Sequence, residues 1–157
     1  MAQNSEIVCQ IIAHDSADYR EMLELRYRVL REPLDIAYRK AYTPEQIAAE
    51  ADAVLIVACA DGKIIGSLLL RPLDKQTAQM RQVAVDKDWQ GRGVGRLLVA
   101  FAEQTAAERD ICEILLHARE VVLPFYERLG YEPFGELFLE VGLPHREMRK
   151  ILPGISG

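Results

Sequence analysis

Apolar positions change their spacing several times along this chain, and each change marks an element. Residues 6–13, rich in Ile and Val, predict a first strand, which stops at His14-Asp15-Ser16, where a short polar side chain can cap a helix. From residue 18 to about residue 30, Tyr19, Met22, Leu23, Leu25, Val29 and Leu30 fall mostly at helical spacing with arginines between them. Glu32-Pro33 ends that helix, because the residue before a proline is pushed out of the helical region. Thr43-Pro44-Glu45-Gln46 sets a capping hydroxyl before a proline at the first helical position and predicts a short helix to about residue 51. Residues 54–60 and 63–70 then read as two strands joined by Asp61-Gly62, a dipeptide suited to the positive φ of a tight hairpin. A third strand is expected over 80–85, after a polar turn around 74–76.

The next stretch passes from strand to glycine-rich loop to helix. Val94, Leu97, Leu98 and Phe101 make one apolar face at i, i+3, i+4 and i+7. Residues 111–117 form an apolar run that predicts a strand buried on both faces, paired in parallel after the helical crossover. Val122, Phe125, Tyr126 and Leu129 repeat the helical spacing, and Gly130 supplies the stop. Pro124 is tolerated only in the first turn, so that helix begins no earlier than about residue 121. Strands over 134–141 and 147–152 close the chain, with no repeat, low-complexity tract or linker.

With 157 residues, 50% hydrophobic and 27% charged, the chain is expected to form one folded domain over residues 1–157. Nineteen basic against twenty-four acidic side chains give a net charge of -5, a field that repels phosphate backbones and anionic lipid, so no nucleic-acid partner is expected. The longest apolar stretch, 53–60, is far short of a bilayer span, and the first residues lack a basic region leading into an apolar one. No membrane association is expected. Cys9, Cys59 and Cys112 are odd in number and widely spaced, which argues for buried thiols in a reducing cytoplasm. His14, His117 and His145 are equally scattered, so no metal is expected.

The informative segment is Gln90-Gly91-Arg92-Gly93-Val94-Gly95-Arg96. Glycines let a backbone turn so that its N–H groups converge, and the helix that follows adds the partial positive charge of its N-terminus. Such a concavity suits a phosphate or pyrophosphate, with Arg92 and Arg96 able to add charge-assisted bonds; the same glycines could also merely connect two elements. A dinucleotide fingerprint fails because Arg96 stands in the last glycine position, and a P-loop fails because no lysine follows the glycines.

Val83-Ala84-Val85 followed by Gln90-x-x-Gly93-x-Gly95 resembles the acetyl-CoA signature of the GCN5-related N-acetyltransferases, the GNAT family. About thirty residues on, Phe125-Tyr126-Glu127-Arg128-Leu129-Gly130-Tyr131 resembles that family's second motif. Toward the C-terminus His117-Ala118-Arg119, Phe138-x-Glu140 and Leu143-Pro144-His145-x-x-Met148 are similar to the small bacterial ElaA-type subgroup. The resemblance implies an α/β fold with a mixed, mostly antiparallel sheet of six to seven strands flanked by about four helices. It implies transfer of the acetyl group of acetyl-CoA to a primary amine, on a small molecule or a peptide, by direct attack in a ternary complex. A regulatory or sensor module that binds acyl-CoA with little catalysis is the alternative, and a homodimer is left open.

The resemblance also assigns residues. Val83, Ala84 and Val85 with Gln90, Gly91, Arg92, Gly93, Val94, Gly95 and Arg96 would hold the coenzyme, Val83 through a backbone N–H aimed at the carbonyl oxygen. A bulge in that strand would splay it from the next and open a slot for the pantetheine arm. Arg119 stands where many members have an asparagine on that arm. Tyr126 matches the tyrosine that acts as general acid at the sulfur; by spacing alone it is one more residue of an apolar face. Gln82 cannot take a proton, which leaves Glu32, Glu113, His117, Glu140 and His145 as candidate bases, with Glu140 and His145 favoured by the subgroup resemblance. Arg26, Tyr27, Arg28, Arg31 and Glu32 would wall the acceptor pocket; as bare spacing, those arginines read as a solvated helix face.

Overall fold

A computed structural model describes residues 6–153. Seven strands, β1 (Val8–Ile12), β2 (Val54–Ala60), β3 (Lys63–Pro72), β4 (Thr77–Val85), β5 (Glu113–Arg119), β6 (Glu132–Glu140) and β7 (Leu143–Ile151), form one sheet in the order β1-β2-β3-β4-β5-β7-β6. Four α-helices flank it: α1 (Ala17–Arg26), α2 (Pro44–Ala48), α3 (Val94–Glu108) and α4 (Leu123–Arg128). Every neighbouring pair is antiparallel except β4 and β5, which are joined by the α3 crossover and run parallel.

Local chemistry starts these elements where the sequence places them. The Ser16 hydroxyl accepts from the Tyr19 N–H at 3.1 Å to begin α1. Thr43 and Gln46 exchange side-chain and backbone hydrogen bonds at the head of α2, satisfying two donors that a helix start leaves orphaned. Asp61 and Gly62 both take positive φ, at 52° and 75°, in the β2–β3 hairpin.

Several boundaries differ from the sequence reading. The first helix leaves α geometry at Tyr27–Arg31, where one π-helical turn is closed by the Glu32 N–H donating to the Tyr27 carbonyl at 2.9 Å. β4 begins three residues before the expected 80, β5 lies two residues later than expected, and β7 starts at Leu143, so that His145 lies within a strand. The expectation that β5 is buried on both faces is wrong. Ile114, Leu116 and Ala118 are buried, while His117 and Arg119 between and beyond them are exposed, because only one face of that part of the sheet carries a helix layer. Nor are the thiols buried: Cys9 and Cys59 are half-buried and Cys112 is exposed.

Two apolar layers enclose the sheet. One joins α3 and α4 to Ile56, Leu68, Leu70, Met80, Ile114, Leu116 and Met148, and the other joins α1 to Leu55, Val57, Ile64 and Leu69. Gly66 on β3 lets α3 come close: a Cβ there would meet Val94 Cγ1 at 2.8 Å and Leu98 Cδ1 at 2.9 Å. The helix that carries the glycine loop is thereby seated directly on the sheet.

Candidate active site

The site begins where β4 and β5 part. Their parallel pairing runs from Thr77–Glu113 to Met80–Leu116 and stops there, although both strands continue. On its other side β4 stays paired with β3, but Gln82 takes φ 57° and the register shifts between Ser67 and Leu69, so Gln82 and Val83 together oppose the single residue Leu68. This is a β-bulge, and it bends β4 away from β5. Val83 and Val85 are half-buried beside the opening, while Ala84 faces inward and is buried.

The glycine loop stands at the end of β4. Trp89 donates its N–H to the Asp86 carbonyl at 2.8 Å, and the Asp86 N–H bonds the Ile65 carbonyl at 2.8 Å, fixing the loop to β3. Gln90 turns back and donates its amide to the Val85 carbonyl at 3.0 Å, so the first letter of the motif holds the loop in place. Gly91 and Gly93 take φ 76° and 83°, in the left-handed region that disfavours a side chain. Gly93 is the N-cap of α3, and no side chain caps that helix. The first N–H groups of a 15-residue helix therefore converge on one spot with the positive end of its dipole behind them.

Both arginines of the loop lie close to it. Among the described residues beyond its chain neighbours, a Cβ on Gly93 would meet only the Arg96 Nη2, at 3.5 Å, which places that guanidinium over the glycine. Arg92 lies over the Trp89 ring at 4.5 Å. Neither makes an ion pair among the described residues, so both charges are available to an anion. A diphosphate fits this donor set: converging backbone N–H groups, a helix terminus and two unpaired guanidinium groups.

The second motif meets the first at one contact. A Cβ on Gly95 would lie 3.2 Å from Phe125 Cζ, so α4 rests against the first turn of α3. Tyr126 follows Phe125, with its ring 7% exposed and packed edge-on to Phe125 and Tyr131 at 4.9 and 5.8 Å. Burial pushes its phenol up to about 12, so it stays protonated and able to donate throughout the physiological range. Its hydroxyl has no hydrogen-bond partner among the described residues and is not one of the buried atoms sealed away without one.

Across β5 from Tyr126, on the α1 face, the two favoured base candidates come together with a third. Glu140 Oε1 lies 3.1 Å from His117 Nδ1, and Glu140 Oε2 lies 3.5 Å from His145 Nε2. His145 is buried and donates from Nδ1 to the Leu143 carbonyl at 2.8 Å. Phe138 packs against both imidazoles. Of the remaining candidates, Glu113 begins β5 and Glu32 follows the π turn; neither enters this cluster. Arg119 ends β5 opposite His145, exposed at the mouth.

On the first helix the solvated reading holds for Arg28, which pairs with Asp86 at 3.0 Å, and fails for Arg26. Arg26 is 0% exposed and grips Glu50 with two bonds of 2.8 Å, while Tyr19 donates to the same carboxylate at 2.6 Å. Its position carried a sign of this, since 19, 22 and 26 lie on one helical stripe, the stripe that is buried. Glu50 and Tyr42, whose ring lies 4.5 Å from the Arg26 guanidinium carbon and 3.6 Å from that of Arg31, had no comparable sign.

Among the described residues no group of His, Cys, Asp and Glu could hold a metal ion, and no helix is long and apolar enough to cross a membrane. Residues 23–152 match the family model described as an acetyltransferase (GNAT) domain. A UPF0039 protein of Schizosaccharomyces pombe is 28% identical over 138 residues, covering 86% of this chain and 91% of that protein. Escherichia coli ElaA shares the fold with a TM-score of 0.72 at 22% identity, over 92% of this chain and 99% of its own. So does a GNAT family acetyltransferase of Elizabethkingia anophelis solved with acetyl-CoA bound, with a TM-score of 0.71 at 17% identity over 93% and 98%.

Proposed function

Since the chain belongs to the GNAT acetyltransferase family and is an acetyl-CoA-dependent acyltransferase, we propose that it moves the acetyl group to a primary amine by direct attack within a ternary complex. The observation that carries this reading is the uncapped head of α3, with Gly93 at φ 83°, set beside a β4 that has left β5. Residues 91–96 hold the diphosphate, and Val83, Ala84, Val85 and Arg119 line the arm that enters the slot. A peptide-like arm can bond the unpaired edge of either strand. Three cysteines without a disulfide among them fit a cytoplasmic enzyme.

Acetyl-CoA supplies an activated acyl carbon and a thiol leaving group. The chain's own residues do the rest. The Val83 N–H, on the stretch of β4 without a β5 partner, donates to the carbonyl oxygen as negative charge gathers there. Tyr126, which burial keeps protonated, is the donor placed to give its proton to the departing sulfur. Glu140 and His145, on the opposite face of β5, handle the proton that the amine loses.

Tyr126→Phe tests the assignment cleanly, because its hydroxyl has no hydrogen-bond partner among the described residues and its removal keeps the ring that packs there. Thiol release with a panel of primary amines is expected to fall about 10²-fold, the usual scale for losing a positioned acid. Acetyl-CoA affinity should stay within about twofold of wild type. Lost affinity with unchanged turnover would assign the residue to packing instead. Tight acetyl-CoA binding by wild type with no turnover on any amine would favour the sensor alternative.

A further inference from the structure

We infer that His117 is the catalytic residue that takes the proton from the attacking amine, with Glu140 and His145 positioning and backing it. This rests on the acetyltransferase reading and deepens it. Glu140 and His145 were favoured by resemblance, but geometry selects His117 from the same cluster. Leu116 is the last β5 residue paired with β4, and His117 is the next one, so it stands at the point where the slot opens. Strand alternation turns it away from Leu116 and Ala118, which are buried under α3 and α4. It therefore lies on the α1 face, across the strand from Tyr126. The side chain of His117 is 32% exposed, against 6% for His145, so an incoming amine can reach only the first of the two imidazoles.

The partners of His117 set its tautomer. A carboxylate can only accept, so Glu140 at 3.1 Å fixes the proton on Nδ1 and leaves the Nε2 lone pair bare. Glu147, directly opposite on β7, has its Oε2 3.8 Å from that Nε2, ready to stabilise the imidazolium once a proton arrives. His145 donates from Nδ1 to the Leu143 carbonyl, so its Nε2 faces Glu140 Oε2 attractively only when a proton lies between them. The result is a line His117, Glu140, His145 that runs from the slot edge into a buried imidazole. By strand alternation and register, the other charged groups on this face are Glu113 and Arg119 of β5, Arg149 of β7, Glu132 of β6, Arg81 of β4 and Arg71 of β3.

The step balances. The nitrogen lone pair forms the bond to the acyl carbon, and the carbon–sulfur bond breaks with its pair going to sulfur. The nitrogen proton passes to His117 Nε2, sulfur takes the Tyr126 proton, and solvent returns a proton from the imidazolium to the phenolate.

The test uses His117→Gln and the wild-type protein, with n-butylamine, benzylamine and 1,4-diaminobutane as acceptors. The variant is expected to lose about 10²-fold in kcat. The rise in melting temperature that acetyl-CoA gives should stay unchanged. Independently of any acceptor, imidazole ¹⁵N NMR of the wild-type acetyl-CoA complex should find His117 as the Nδ1–H tautomer, and Glu140→Gln should abolish that preference. A His117→Gln enzyme with kcat within about threefold of wild type would overturn the inference, as would an Nε2–H tautomer in the complex. If acetyl-CoA fails to stabilise wild type at all, the donor reading beneath it falls instead.

Discussion

Gly93→Asn is expected to lower acetyl-CoA affinity by at least about 10²-fold while the protein stays folded. At φ 83° a β-branched residue would be strained, but asparagine tolerates the left-handed region better than other side chains. The loss can then be read as blockage rather than misfolding. Among the described residues beyond its chain neighbours, only the end of Arg96 comes within 4 Å of a Cβ at this position, so the fold does not fill the space. That space is the concavity on which the N–H groups of α3 converge, and a side chain there would displace a phosphate. Calorimetric titration with acetyl-CoA, alongside a thermal melt, checks both halves. Gly91→Asn is the control, because it also has positive φ but lies two residues outside the helix cap, and it should cost less. Equal affinity of the Gly93 variant and wild type would remove the diphosphate from this loop.

Glu50→Gln is expected to destabilise the fold by about 3–5 kcal/mol, the usual cost of breaking a buried ion pair on one side. Arg26 is fully buried, and its charge is met by the two Glu50 oxygens; its Nε has no hydrogen-bond partner among the described residues. A neutral amide keeps one acceptor and turns an N–H toward the guanidinium. Urea unfolding should register the loss in the midpoint with an unchanged slope, and a change under about 1 kcal/mol would contradict it. The pair also sets an acid limit. Burial alone would raise the Glu50 carboxyl, but hydrogen bonding and charge from Arg26, with help from Tyr19 and Arg81, hold it below its ordinary value. A depressed folded-state pKa contributes stability that is present above the unfolded value and is lost as pH falls through the folded one. Wild type should therefore weaken below the ordinary carboxylate range, and Glu50→Gln should lose that part of the acid dependence.

What the sequence made legible was whatever local chemistry decides. Caps at Ser16 and Thr43, the Asp61-Gly62 hairpin and the helical stripe after Gly93 act within a few residues, and the strands and helices they start are in place. The two family motifs carried the fold class and the loop because both depend on particular letters at fixed spacing. The parting of β4 from β5 was expected from resemblance only; its physical cause is the positive φ of Gln82, a residue type that does not announce a bulge. Pairings between distant segments stayed hidden. Glu50 reaches Arg26 across 24 positions, and His117 meets Glu140 across 23, distances over which no periodicity speaks. Gly66 had no visible role in its strand, because the helix that needs its missing side chain comes 28 residues later, at Val94. The π turn at Tyr27–Arg31 likewise has no letter that marks it.

Amide ¹H–¹⁵N spectra recorded during a titration with coenzyme A, in parallel with acetyl-CoA, address the diphosphate cradle most directly. Gly91, Gly93, Val94, Gly95 and Arg96 should show the largest shifts, in the same direction with both ligands, because the two share the diphosphate. Binding that leaves those amides unmoved, or spectra that coenzyme A does not change at all, would contradict the account.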